Sequence, residues 1–129
     1  MSQCNLKSIS TNEAPLAVGP YSQAIICNDL VFISGQIPID PKTNQLSNDN
    51  FENQVKLVFN NISAILKEAN SSLDKVVKTT VFIKDISKFG AFNEIYATYF
   101  INNKPARSLV EVSNLPKGAL VEVEVIAKI

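Results

Sequence analysis

Residues 119–127 read ALVEVEVIA, and this alternation constrains the fold more than any other stretch. Successive side chains of a strand point to opposite faces. Val121, Val123 and Val125 therefore form one set, and Leu120, Glu122, Glu124 and Ile126 the other. A strand with one wholly apolar face belongs against a core. Residues 76–83, VVKTTVFI, are rich in β-branched residues and predict a second such strand, with Val77, Val81 and Ile83 on one face and Val76 and Phe82 on the other.

The layer that covers the core face is legible in residues 51–69. Val55, Val58, Phe59, Ile62, Ile65, Leu66 and Ala69 recur at helical spacing and make one apolar stripe, with Glu52, Lys56, Asn60, Asn61, Lys67 and Glu68 largely off it. Asn48 to Asn50 supply N-cap candidates, and Asn70 suits the left-handed position that ends a helix. A second helix is predicted over 86–101, capped by Asp85 or Ser87 and packing through Phe89, Phe92, Tyr96, Tyr99 and Phe100.

Further strands are predicted at 5–10, 22–27, 30–36 and 107–112. Asn28-Asp29 reads as a two-residue hairpin turn, residues 39–45 as a turn-rich loop and Pro116-Lys117-Gly118 as a turn. The order β-β-β-α-β-α-β-β is an α+β pattern, one sheet with two helices on one face, in a single domain over residues 1–129. Two helices cover only one face. The other is too apolar to rest in water, so the chain is expected to associate with copies of itself.

Composition excludes several chemistries. Lys+Arg 12 balances Asp+Glu 12, which argues against a nucleic-acid partner held by phosphate neutralisation. The chain has no histidine, which excludes Ser-His-Asp and Cys-His nucleophile systems and histidine metal ligands. Gly19, Gly35, Gly90 and Gly118 are too scattered for a nucleotide loop. Cys4 and Cys27 lack a zinc or C-x-x-C context and read as plain, unpaired residues. With no leader-like or membrane-spanning stretch, the expectation is a cytoplasmic protein with no membrane partner, an organelle being the alternative.

The polar candidates each have a bland reading. Arg107 opens a strand after Pro105-Ala106, where a guanidinium either grips a carboxylate or serves a salt bridge. Glu122 and Glu124 are either a desolvated general base and its neighbour or charges on a solvated strand. Tyr21 offers a phenol to a pocket or plugs the core, and Ser34-Gly35 at a strand end permits close backbone approach.

Together these residues are more specific. The runs APLAVGPYSQA (14–24), FISGQIPIDPKT (32–43) and PARSLVEVSNLPKGALVEVEVIA (105–127) resemble the Rid, or YjgF-like, family of reactive intermediate deaminases over about residues 7–129. The resemblance implies a chorismate-mutase-like fold, a mixed six-stranded sheet with two helices on one face. It also implies a homotrimer whose sheets form a central barrel, with clefts between subunits. It implies hydrolysis of 2-imino acids such as 2-iminobutanoate and 2-iminopropanoate to 2-keto acids and ammonia, with no cofactor and no metal. By position, Arg107 matches the substrate-gripping arginine, Glu122 the acid tied to water activation, Tyr21 the cleft tyrosine and Ser34 the strand-end serine. Asn93 and Gly35 complete the match. Leu109 stands where many members carry cysteine, which keeps the backbone contact and loses the thiol. The alternatives are a non-enzymatic small-carboxylate binder or holdase and, third, an endoribonuclease.

Overall fold

The computed structural model describes residues 5–129; Cys4 lies outside them. Helix α1 (Phe51–Glu68) begins at Asn50, whose side chain accepts from the Asn53 amide at 2.8 Å. Glu52 in the first turn and Lys67 in the last complement the helix dipole. The helix ends in a Schellman motif. Asn70 sits at φ +59°, its amide reaching the Lys67 carbonyl while Ser71 reaches back to Leu66. Val55, Val58, Phe59, Ile62, Ile65 and Leu66 are fully buried, each contributing roughly 1.5–3 kcal/mol. Asn61, expected off this stripe, is also buried, because its amide donates to the Ile39 carbonyl at 2.8 Å.

Six strands form one mixed sheet in the order β1-β2-β3-β8-β6-β7. These are β1 (Leu6–Ile9), β2 (Ala24–Cys27), β3 (Leu30–Gln36), β6 (Val76–Ile83), β7 (Ala106–Glu111) and β8 (Val121–Lys128). The β2–β3 hairpin pairs Cys27 with Leu30 across Asn28-Asp29. Of the two turn residues only Asn28 takes a positive φ. β6 and β7 run parallel, joined over the sheet by α2 (Phe89–Tyr99), and the remaining neighbours are antiparallel. Residues 39–46 hold a small separate hairpin, β4 (Ile39–Asp40) with β5 (Gln45–Leu46), where only a loop was expected.

Both helices pack on the face that carries Val121, Val123, Val125 and Ala127, all buried. The opposite face keeps Phe32 at 41%, Val77 at 47% and Val110 at 46% exposure. The chain thus presents the uncovered apolar surface that the alternation in β8 implied.

Three local expectations need correcting. In β6 the register shifts between Val76 and Lys78, so Val76 is buried and Val77 exposed, the reverse of simple alternation. A bulge inserts one residue and resets the faces. The second helix is shorter than predicted. Asp85 caps a separate 3₁₀ turn at Ile86–Lys88, and α2 starts without a side-chain cap. Phe89, at its first position, stays exposed instead of joining the packing face. Finally, Cys27 is disulfide-bonded, whereas a plain thiol was expected.

Candidate active site

The first half of the site lies at the open end of β3 and β8. Between Ile33 and Gln36 the β3–β8 register slips by one residue, which bends β3 and leaves Ser34 and Gly35 out of regular pairing. Glu122 reaches across this break. A pocket of about 320 Å³ is lined there by Tyr21, Gly35, Gln36, Leu16, Lys117 and Glu122, among others. Glu122, rather than Glu124, therefore lines the cavity; Glu124 is exposed on the same face. Burial, and secondarily the neighbouring charge of Glu124, hold the Glu122 carboxyl above the usual carboxylate range. Its carboxylate has no hydrogen-bond partner among the described residues.

Tyr21 is half exposed, its ring lying over Gly19, where a Cβ would stand 3.1 Å from the ring. The Ser34 hydroxyl donates to the Ser22 carbonyl at 2.6 Å, and the Ser34 amide to the Gln23 carbonyl at 3.0 Å. Ser34 thus ties β3 to the segment that carries Tyr21. Behind the pocket, Gln23 is buried, bonding the Thr11 amide and the Thr11 and Pro15 carbonyls at 2.7, 3.1 and 2.7 Å. This side chain pins the 11–16 loop that supplies one wall.

The second half lies between β7 and α2. Arg107 donates from Nη1 to Asn93 Oδ1 at 2.8 Å. Its guanidinium carbon lies 4.8 Å from the Tyr96 ring centre, 5.7 Å from Phe89 and 5.8 Å from Phe92. No carboxylate pairs with it among the described residues. Leu109, two residues on, points to the same face and packs against the core.

These halves do not meet within one chain. Directly paired residues of a sheet share a face. Arg107 pairs with Thr79, which is fully buried under the helices, whereas Glu122 pairs with Phe82 on the uncovered face. The structure therefore groups Tyr21, Gly35 and Glu122 at one place, with Ser34 behind them, and Arg107, Asn93 and Leu109 at another. No cluster of three or more His, Cys, Asp or Glu side chains able to hold a metal occurs among the described residues.

A family model described as Endoribonuclease L-PSP matches residues 11–129. The chain belongs to the Rid, or YjgF-like, family. Relatives in the Rid family carry varied names. A RutC family protein of Pyrococcus abyssi is 51% identical over 92% of this chain and 94% of its own length. The 2-iminobutanoate/2-iminopropanoate deaminase of Rattus norvegicus is 46% identical over 98% of this chain and 93% of its own. Among solved structures, the conserved Rid protein YyfA of Yersinia pestis matches with a TM-score of 0.95 at 52% identity, covering 97% of this chain and all of that one. The Rid fold is thus shared throughout, with its mixed sheet and two helices.

Two further side chains, Gln23 and Tyr96, shape these halves. Gln23 looked like an ordinary strand residue; a buried amide is visible only once the loop folds over it. Tyr96 reads in the sequence as a packing residue, yet its ring carries the guanidinium of Arg107. Its fourth-position spacing from Phe92, with Asn93 between, places an aromatic and an amide on one turn of helix, and that was the available signal.

Proposed function

We propose that this protein hydrolyses reactive 2-imino acids and their enamine tautomers, such as 2-iminobutanoate and 2-iminopropanoate, to 2-keto acids and ammonia. The observation that carries this reading is Arg107, a guanidinium oriented by Asn93 with no carboxylate partner among the described residues. An anionic substrate supplies that partner, and a guanidinium receives a carboxylate through two parallel bonds. The name of the rat relative supports the substrate class.

The complementary group is Glu122, half-buried and held above the usual carboxylate range. A base tuned upward takes a proton from water more readily at neutral pH. In the proposed sequence Arg107 holds the carboxylate, and Glu122 removes a proton as water attacks the C=N carbon. That proton passes to the nitrogen, giving a carbinolamine. The hydroxyl proton of this adduct then moves to the nitrogen through Glu122, and the C–N bond breaks as the C=O bond forms, releasing ammonia and the 2-keto acid. Tyr21 and the Ser34 region orient the water. The backbone of β7 at Leu109 lines the carboxylate side.

Because Arg107 and Glu122 lie on opposite faces of one sheet, the reading requires that copies of the chain bring them together. The exposed Phe32, Val77 and Val110 supply a surface for that assembly. A homotrimer with the sheets turned inward is the arrangement we propose, with its clefts as the sites. Zero net charge and the absence of histidine argue against RNA cleavage as the main activity.

The test is a coupled reaction in which a threonine dehydratase makes the imine and semicarbazide traps what escapes. The protein is expected to suppress semicarbazone formation, and Arg107→Ala to lose the effect by about a hundredfold or more in kcat/KM. No suppression by the unmodified protein overturns the hydrolase reading. Saturable binding of 2-ketobutyrate without turnover then establishes a carboxylate binder instead.

A further inference from the structure

Thr79 is the residue opposite Arg107 in the parallel β6–β7 pair. It is fully buried, and its hydroxyl meets the Tyr96 hydroxyl at 2.8 Å. The same Tyr96 ring lies under the Arg107 guanidinium at 4.8 Å, the nearest of the three rings around it. The ring has little freedom. Phe100 packs tilted at 4.6 Å, Phe92 tilted at 5.5 Å and Phe59 edge-on at 5.7 Å.

From this geometry we propose that Tyr96, anchored through its hydroxyl to Thr79, is a positioning residue that sets the plane of the Arg107 guanidinium for carboxylate binding. The inference rests on the reading of Arg107 as the carboxylate grip and adds the device that aims it. A guanidinium is planar, and its fork matches a carboxylate only when the plane is right. Asn93 occupies one N–H of Nη1 and leaves rotation about that contact. A ring face beneath the guanidinium removes this freedom, and the attraction between cation and ring holds the two together. Phenylalanine fills the same space, but only tyrosine reaches Thr79. Burial holds the Tyr96 phenol above the usual tyrosine range, partly offset by the Thr79 bond and by Arg107, so the ring stays neutral at physiological pH.

The sequence contains a single arginine, so its side-chain Nε–Hε resonance in a ¹⁵N–¹H correlation spectrum is assigned without ambiguity. The unmodified protein is expected to show one sharp signal displaced by the Tyr96 ring current. Tyr96→Leu moves it to the position of free arginine and broadens it; Tyr96→Phe keeps most of the displacement. With the imine substrate, Tyr96→Leu raises KM about tenfold with kcat within about twofold, because the carboxylate is held equally in ground and transition states. Tyr96→Phe recovers most of that loss. A structural role alone lowers the melting temperature of both variants and leaves KM and the arginine signal of the folded fraction unchanged. An unmoved arginine signal in Tyr96→Leu overturns the proposal, whether or not the protein turns over imines. Failure of 2-ketobutyrate to perturb that signal in the unmodified protein overturns instead the reading of Arg107 as a carboxylate grip.

Discussion

The carboxylate of Glu122 occupies the space that a side chain at Gly35 would need. A Cβ built on Gly35 would stand 3.0 Å from the Glu122 carboxyl carbon, with Oε2 nearer still. The bulge in β3 brings the Gly35 backbone under the end of β8, and only glycine leaves room for the acid to lie down in the pocket. The wall of the cavity and the placement of its acid are therefore one feature.

Gly35→Ala follows from this directly. The atoms in the way are the far end of a flexible side chain, so the fold yields easily while the carboxylate swings out. The variant is expected to keep its melting temperature within about 4 °C and to lose at least about tenfold in kcat/KM. Calorimetry beside the coupled assay checks both. A large loss of stability with activity intact contradicts the geometry.

The raised Glu122 carboxyl has two pH consequences. A base works ionised, so kcat/KM falls as pH drops through a pKa above the usual carboxylate range. Glu124→Gln removes a like charge and moves this acid limb to lower pH; burial, the larger cause, remains. For stability the sign is opposite to that of a salt-bridged acid. The folded state holds the proton more tightly, so the contribution is fully present below the unfolded carboxylate range and is lost as pH rises through the folded value. Glu122→Gln is thus expected to raise the urea midpoint at neutral pH and to converge with the unmodified protein in acid.

The open face of the sheet is expected to hold copies together. Phe32→Asp with Val110→Asp places unpaired charges on β3 and β7, at a cost of several kcal/mol if that face is buried. Sedimentation is expected to show a particle of three chains for the unmodified protein and a 14.1 kDa particle for the double variant. Activity is expected to vanish with the assembly. A variant that stays assembled moves the interface elsewhere.

Gln23→Ala strands the Thr11 amide and two carbonyls that Gln23 now satisfies. The cost is about 1–3 kcal/mol, with faster amide exchange across residues 11–16. Exchange confined to global unfolding sinks the view of Gln23 as the pin of that loop.

Much of the fold was legible because its causes are local. The stripe on α1, its Asn50 cap, the Asn70 terminator and the two-residue hairpin at Asn28-Asp29 each follow from neighbouring residues. The alternation in β8 announced both the core face and the uncovered one. Where reading failed, a non-local cause won. The β6 bulge that exchanges Val76 and Val77 depends on pairing with β8, and the Ile86 amide that opens the 3₁₀ turn ahead of the short α2 donates to the Glu111 carboxylate of β7.

The candidate site divides in the same way. By itself the sequence named the candidates, because Arg107, Glu122, Tyr21, Ser34 and Gly35 stand in runs that resemble one family and Asn93 matches it by position. The tertiary structure alone decided which of them share a place. A strand's alternation assigns parity but not which neighbour it meets. The pairing of Arg107 with Thr79 and of Glu122 with Phe82, both set by long-range register, sends the two charges to opposite faces of the sheet.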